Sequence, residues 1–402
     1  MSEIVAWAEA IQEQLVRWRR HLHQYPECSF EEKETAAFVA NVLSEIPGIK
    51  VTRNVGGYGV VGKLERGGGR TIALRADMDA LPIIEAAEVT YASKHRGVMH
   101  ACGHDAHTAI LLGAATLLSR SFHEDSDLNG TVLFLFQPAE ESMDSEGKTG
   151  AVHLIEHGVL QDVEMAFALH VCPWHKKDTI QLHSGPSMGS IDVFKGTISG
   201  TGGHGAYPHL GNDPFWLLSQ VLPALYALTA RRISPLEEAV VSVGKISGGE
   251  ANNVIPSEVQ IEGTIRCYDE TVRHLLKRDV AQAFDIAKVF GGRSQCLLTG
   301  GEPALMNHEK AVRLIQVVAA ELYPQHSIVN EPYGLGSEDF AHIAKETTAA
   351  LFFLGCQPES GQYDLHTDTF QIDESCLSKG TSIMAATAIA ALKEKEEESS
   401  CH

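Results

Sequence analysis

The sequence predicts an α/β protein of two domains, in which an inserted ferredoxin-like domain, residues 185–302, interrupts an α/β domain made of residues 1–184 and 303–402. Three observations carry that prediction. Apolar runs of strand length that end in polar residues alternate with helix-period segments at both ends of the chain, the pattern of an α/β sheet. From 190 to 299 the order becomes β-α-β-β-α-β, that of a ferredoxin-like unit. With 402 residues, the chain also exceeds the size at which one hydrophobic core stops growing.

Taken in order, Ile4, Trp7, Ala8, Ile11, Leu15, Trp18 and Leu22 recur at helical spacing, so one amphipathic helix is expected over 4–23, ended by Tyr25-Pro26. A second helix follows over 31–43. Strands are expected at 59–64 and 71–76, joined by a glycine-rich turn. The second strand delivers Asp77 and Asp79 at its end, where open α/β sheets bind ligands; a solvated acidic turn is the plain alternative. Met99-His100-Ala101-Cys102-Gly103-His104-Asp105-Ala106-His107 is next, set just before a helix over 108–118. Strand 131–137 is nearly all apolar, as suits burial on both faces, and it ends in Gln137-Pro138-Ala139-Glu140-Glu141. Adjacent acids there are costly unless paired or bound to a metal, although an exposed acidic loop continuing through Asp144 and Glu146 also fits. A helix over 150–157 and a strand over 165–169, ending at His170, complete this half.

The inserted domain is expected to hold strands at 190–198, 239–246, 258–266 and 295–299, with helices over 213–231 and 270–290. Pro223 predicts a kink in the first of these helices. Beyond 303 the α/β alternation resumes, with a strand over 350–355 before Tyr363-Asp364-Leu365-His366 and a charged tail from 393 expected to fray.

A formal net charge of −20 and the lack of a basic patch argue against nucleic acid and anionic membrane as partners, leaving small molecules or another subunit. No apolar run is long enough to span a bilayer. The eight cysteines are scattered without a CxxC pair, and the amino terminus lacks the layout of a signal peptide, so a reducing, cytoplasmic setting is expected. Gly200-Thr201-Gly202-Gly203-His204-Gly205 matches the dinucleotide-binding fingerprint literally. The helix behind it starts only near Asp213, and no acid ends a strand about 20 residues on, so it reads instead as a tight turn exposing His204. No Ser, His, Asp set for nucleophilic catalysis is evident.

Cys102, His104, Glu141, His170 and His366 remain as soft and borderline ligands at loop or strand-end positions. For any single residue of Met99–His107, a buried cysteine or a satisfied core or surface histidine is as good a reading as a metal ligand, since a free cysteine is often buried as a small hydrophobe. Together the five candidates are too many for one catalytic zinc, which uses about three protein ligands and a water, so a co-catalytic pair of metals is the more economical reading. With Glu141 a ligand, Glu140 is free to act as general base on a bridging water and to pass the proton to a leaving amine. Asp79, Asp105 and His107 are expected to orient the ligand imidazoles.

Arg75-Ala-Asp-Met-Asp-Ala-Leu-Pro82, Met99 to His107, Phe136-Gln-Pro-Ala-Glu-Glu141, Leu169-His170, Gly202-Gly-His-Gly-Ala-Tyr-Pro-His209, Asn253-Val-Ile-Pro256 and Leu365-His366 stand in the order of a known family. Over nearly its whole length the chain resembles the amidohydrolase branch of the co-catalytic metallopeptidases, which includes hippurate hydrolase, N-acyl-amino-acid deacylases and auxin-conjugate hydrolases. The resemblance implies a zinc-peptidase-like catalytic domain with an inserted lid and dimerisation domain, and a homodimer. It makes Cys102, His104, Glu141, His170 and His366 ligands of two divalent ions, with Glu140 as base. Manganese or zinc is expected, with cobalt or nickel also compatible, because thiolate favours softer metals while Glu141 tolerates harder ones. His204 would reach a catalytic centre, within one chain or across a dimer interface, and Asn253 and Arg266 are candidates for the substrate carboxylate. The implied reaction is hydrolysis of an N-acyl-L-amino acid to a carboxylate and a free amino acid. A dipeptidase or carboxypeptidase, or a binding homologue without catalysis, are the alternatives. One departure from the family is the polar segment 142–148, where a shorter glycine-rich link is expected.

Overall fold

A computed structural model describes residues 2–394, which form two compact units. The first comprises the described parts of Met1–Gly185, Met306–Pro332 and His342–His402; the second is Pro186–Leu305 with Tyr333–Ala341. The tail expected to fray lies, from 395 onward, outside the described residues, as does Cys401. The seven described cysteines are all free thiols.

The first unit is built on an eight-stranded mixed sheet. Its middle is parallel: Gly130–Gln137, Thr71–Asp77, Val163–Lys176 and Thr348–Gln357 lie side by side in that order. These strands read as continuous apolar runs because both faces are covered, and Phe134, Phe136, Phe167 and Phe352 are fully buried. The helices His104–Glu124 and Cys376–Lys393 pack on the sheet and on each other.

Register brings the strand ends level. Asp77 is paired with Gln137, so the loops after these two strands leave the sheet together. On the other side the ladder between Thr71–Asp77 and Val163–Lys176 stops at Arg75 and Ala168, two residues short of His170.

Several element boundaries differ from expectation. The first helix is broken at Ile11, where φ −102° and ψ 8° leave the helical basin, giving Ser2–Ala10 and Gln12–Gln24. Strand Ile49–Val55 is an edge strand with a mostly polar, exposed face, which leaves little apolar alternation to read. The long helix starts at His104, not at 108, since the residues of its first turn are polar for reasons other than solvent exposure. His170 does not end its strand. Pairing with Thr348–Gln357 carries the strand on to Lys176.

In the second unit, Ala239–Ser247, Glu258–Cys267, Ser190–Ser199 and Arg293–Gly300 form an antiparallel sheet in that spatial order, the ferredoxin-like arrangement. Helices Pro214–Arg232 and Glu270–Phe284 pack against it around Phe194, Leu217, Ile261 and Phe284. Helix Pro214–Arg232 contains Pro223 and is a single element, whereas Asp285 separates Glu270–Phe284 from the short Ile286–Val289. Residues 333–341, which pattern alone leaves with the first unit, join the second. Tyr333 N–H donates to Ser187 O at 2.8 Å, Gly189 N–H to Gly336 O at 2.8 Å, and Arg266 to Leu335 O at 2.9 Å.

Candidate metal centre

The site forms where three pieces of backbone meet beyond the parallel strands. Leu81 and Met99 exchange backbone hydrogen bonds at 3.0 Å, which draws the Met99–His107 segment against the end of Thr71–Asp77. His366 N–H donates to Ala101 O at 2.8 Å and fixes the C-terminal contribution. Gly103 makes the close turn possible: its φ is +96°, and a Cβ there would lie 2.3 Å from Val171 Cγ2.

Five of the predicted residues converge. Cys102 Sγ lies 3.4 Å from His170 Nε2 and 3.3 Å from His366 Nε2. Glu141 Oε1 lies 3.2 Å from His366 Nε2 and 3.8 Å from His104 Nε2. Donor atoms of Cys102, His104 and His170 fall within 4.8 Å of one another, as do those of Cys102, Glu141 and His366, and those of His104, Glu140 and Glu141.

The second ring nitrogens are already engaged. His104 Nδ1 meets Asp79 Oδ1 at 3.1 Å, and His170 Nδ1 meets the Val171 carbonyl at 2.8 Å, so each imidazole turns Nε2 toward the cluster. Asp79 has further roles: its Oδ2 accepts from Ser29 Oγ at 2.6 Å and from the Glu141 backbone N–H at 2.9 Å. One carboxylate thus places two of the convergent residues.

Asp105 and His107 sit where the motif puts them but face other partners. His107 accepts the Val171 N–H on Nε2 at 2.9 Å and meets Asp77 Oδ1 through Nδ1 at 2.6 Å, so it holds the strand that bears His170. Asp105 turns away from the cluster into a buried ion pair with Arg19 at 2.8 Å and a contact to His23 at 2.7 Å. Asp77 is the participant that the sequence reading left without a role. It is fully buried between Arg75, at 2.7 Å, and His107. Period-two alternation puts Arg75 and Asp77 on one face of the strand, and that is the signal that finds it.

The donor set fits divalent cations. His104 Nε2 is buried without a hydrogen-bond partner, an arrangement that costs free energy unless another group completes it. The field is negative: burial would lower the His104 imidazole, but Asp77 and Asp79 hold it up to about 10. Burial, followed by Glu141, Glu140 and Asp77, pushes the Cys102 thiol well up. Burial and then His107 push His170 well below the ordinary imidazole value, which keeps it neutral as a ligand must be.

Arg19 and Asp105 have side chains 1% and 0% exposed. Against the effect of burial, Arg19 and His23 hold Asp105 well below the usual carboxylate range. Replacing Arg19 with Met removes the permanent cation and leaves the buried Asp105 carboxylate with His23 alone, and a loss of about 3–5 kcal/mol is expected in urea unfolding of the metal-free protein at pH 7. A carboxylate with a lowered pKa stabilises above its unfolded value of about 4 and loses that contribution as pH falls further. The gap between Arg19→Met and wild type should therefore narrow below about pH 4; a gap independent of pH would show that packing, not charge, carries it.

His204, Asn253 and Arg266 belong to the second unit. His204 is exposed in the two-residue strand Gly203–His204, paired with Val254, and Gly205 N–H donates to Asn253 O at 2.9 Å, so His204 and Asn253 are neighbours. Arg266 is half-buried on Glu258–Cys267.

The profile described as Peptidase family M20/M25/M40 matches residues 73–390. The chain belongs to that family. Among its relatives, an N-acetyl-L-cysteine deacetylase of Bacillus subtilis (strain 168) is 40% identical over 389 residues, covering 96% of this chain and 90% of the relative. Thermostable carboxypeptidase 1 of Saccharolobus solfataricus is 35% identical, covering 94% of this chain and 95% of that one. The crystal structure of a Bacillus subtilis protein described as a dinuclear metal-binding peptidase from the M20 family superposes with a TM-score of 0.81 at 32% identity, covering 96% of this chain and 99% of that one. The M20 chain described here is accordingly a hydrolase of the amidohydrolase kind. Among the described residues, no helix is long and apolar enough to cross a membrane.

Proposed function

We propose that this protein hydrolyses the amide bond of N-acyl-L-amino acids, with Cys102, His104, Glu141, His170 and His366 holding two divalent metal ions and Glu140 as general acid and base. The observation that carries the reading is the juxtaposition of a second carboxylate with the donor cluster: a Glu140 oxygen lies within 4.8 Å of donor atoms of both His104 and Glu141. Bound metal ions supply a Lewis-acidic pair that polarises the scissile carbonyl and acidifies water. Glu140 takes a proton from the attacking water and delivers it to the amide nitrogen, so that the amine leaves neutral. Asp79 keeps His104 and the backbone of Glu141 in place during this transfer. His204 serves the developing negative charge on the amide oxygen, and Asn253 and Arg266 hold the substrate carboxylate. The deacetylase relative supports an acyl substrate.

The carboxypeptidase relative favours a second reading, because an aminoacyl group presents the same scissile amide. A homodimer through the second unit belongs to the proposal. Trp216 and Tyr226 on helix Pro214–Arg232 and Val240 and Ile246 on the edge strand Ala239–Ser247 are exposed, and a second copy would cover them. The test is to chelate the protein, reconstitute it with manganese, zinc, cobalt or nickel singly, and assay acetyl, benzoyl, indolyl-acyl and aminoacyl conjugates for amino-acid release. Activity that disappears on chelation, returns with one or more of these metals and prefers acyl conjugates is expected. Preference for aminoacyl conjugates would favour the carboxypeptidase reading, and no hydrolysis with any metal would refute both.

A further inference from the structure

Glu32 is an acid outside the donor cluster, yet it is buried with none of its surface exposed. Its Oε1 accepts the backbone N–H of Ala139 at 2.7 Å across 107 positions of chain. Ala139 stands immediately before Glu140 and has φ +51°, a left-handed conformation that a residue with a Cβ adopts only when its surroundings impose it. The other side of the same residue is clamped too. Gly150 N–H donates to Ala139 O at 2.8 Å, and a Cβ at Gly150 would lie 1.6 Å from Pro138 O. The turn that aims Glu140 and Glu141 is thus gripped at its N–H by a side chain and at its carbonyl by a closely approaching backbone.

We propose that Glu32 is a positioning residue for the acid/base chemistry: by accepting the Ala139 N–H it holds the strained turn that sets the direction of the Glu140 carboxylate. The inference rests on the general-base reading of Glu140 above. What it requires is an acceptor oxygen at the tip of side chain 32, not a charge. Either protonation state of Glu32 offers that oxygen, and so does the amide of Gln. The direction of Glu140 matters because misplacing a reacting group by about 1 Å costs roughly a hundredfold in rate.

The comparison that decides is Glu32→Gln against Glu32→Met in the metal-loaded protein, with wild type and Glu140→Gln alongside. Gln keeps the acceptor; Met keeps the volume and removes it. Glu32→Gln is expected to keep kcat within about threefold of wild type, and Glu32→Met to lose roughly ten- to a hundredfold in kcat with KM, metal content and melting temperature little changed. A Glu32→Met enzyme with wild-type kcat overturns the proposal. So does a Glu32→Gln enzyme as impaired as Glu32→Met, or a Glu32→Met protein that fails to fold, since either would make the residue structural. If wild type does not hydrolyse the amide, or Glu140→Gln remains active, the general-base reading has failed. Wild-type activity in Glu32→Met beside an inactive Glu140→Gln means only the positioning inference has failed.

Discussion

Glu140→Gln is expected to lower both kcat and kcat/KM by about a thousandfold while both metal ions stay bound. The amide has nearly the shape of the carboxylate, and the turn that carries it is fixed from outside by Glu32 and Gly150, so the substitution removes basicity and leaves the geometry. Glu141, His104 and the remaining donors are untouched, which is why metal content should survive. Equal losses in kcat and kcat/KM are the signature of an interaction made only in the transition state; a rise in KM alone would mean that Glu140 binds substrate without moving a proton. Steady-state kinetics on an N-acyl amino acid, paired with elemental analysis of the same sample, provides the check. Retained turnover would remove Glu140 from the mechanism.

The parts of this protein that were legible in its sequence are those governed by local periodicity. Gly130–Gln137 and the 165–169 stretch of Val163–Lys176 are nearly all apolar, and acids at or just beyond the ends of Thr71–Asp77 and Gly130–Gln137 mark the carboxyl edge of a parallel sheet. The order of strands and helices after Ser190 likewise spelled out the antiparallel sheet of the second unit. What the sequence hid was decided by register or by burial of charge. His170 reads as a strand end because its polarity interrupts an apolar run, whereas pairing with Phe353 carries the strand past it. The polar first turn of His104–Glu124 masks a helix start, because His104, Asp105 and His107 are each buried with a partner distant in sequence. Arg19, His23 and Glu32 gave no signal of their own. In amphipathic or acidic stretches they look like solvated surface, and only long-range pairing makes them interior. The segment 142–148, unusual by pattern, proves ordered by Asp144, which accepts from the backbone of Glu146 and Lys148 and meets His153 at 2.8 Å.

Cys102→Ala is expected to lose metal and activity together, in contrast to Glu140→Gln. Cys102 Sγ is the atom shared by two donor groups, one with His104 and His170 and the other with Glu141 and His366. Removing it therefore weakens both proposed metal positions at once, and a fall of about a hundredfold or more in affinity is the scale set by losses even at residues that only support a ligand. The surroundings add a requirement. Burial and three carboxylates favour the neutral thiol, yet only the thiolate ligates, so bound cations must supply the charge that keeps it deprotonated. Metal loading should then release protons and weaken as pH falls, which titration in weakly buffered solution measures directly. Cys102→Asp restores a charged donor of harder character, so it should recover occupancy better with manganese than with zinc. Full occupancy in an inactive Cys102→Ala protein would instead place the thiol on the reacting atoms, and the shared-ligand reading would fall with it.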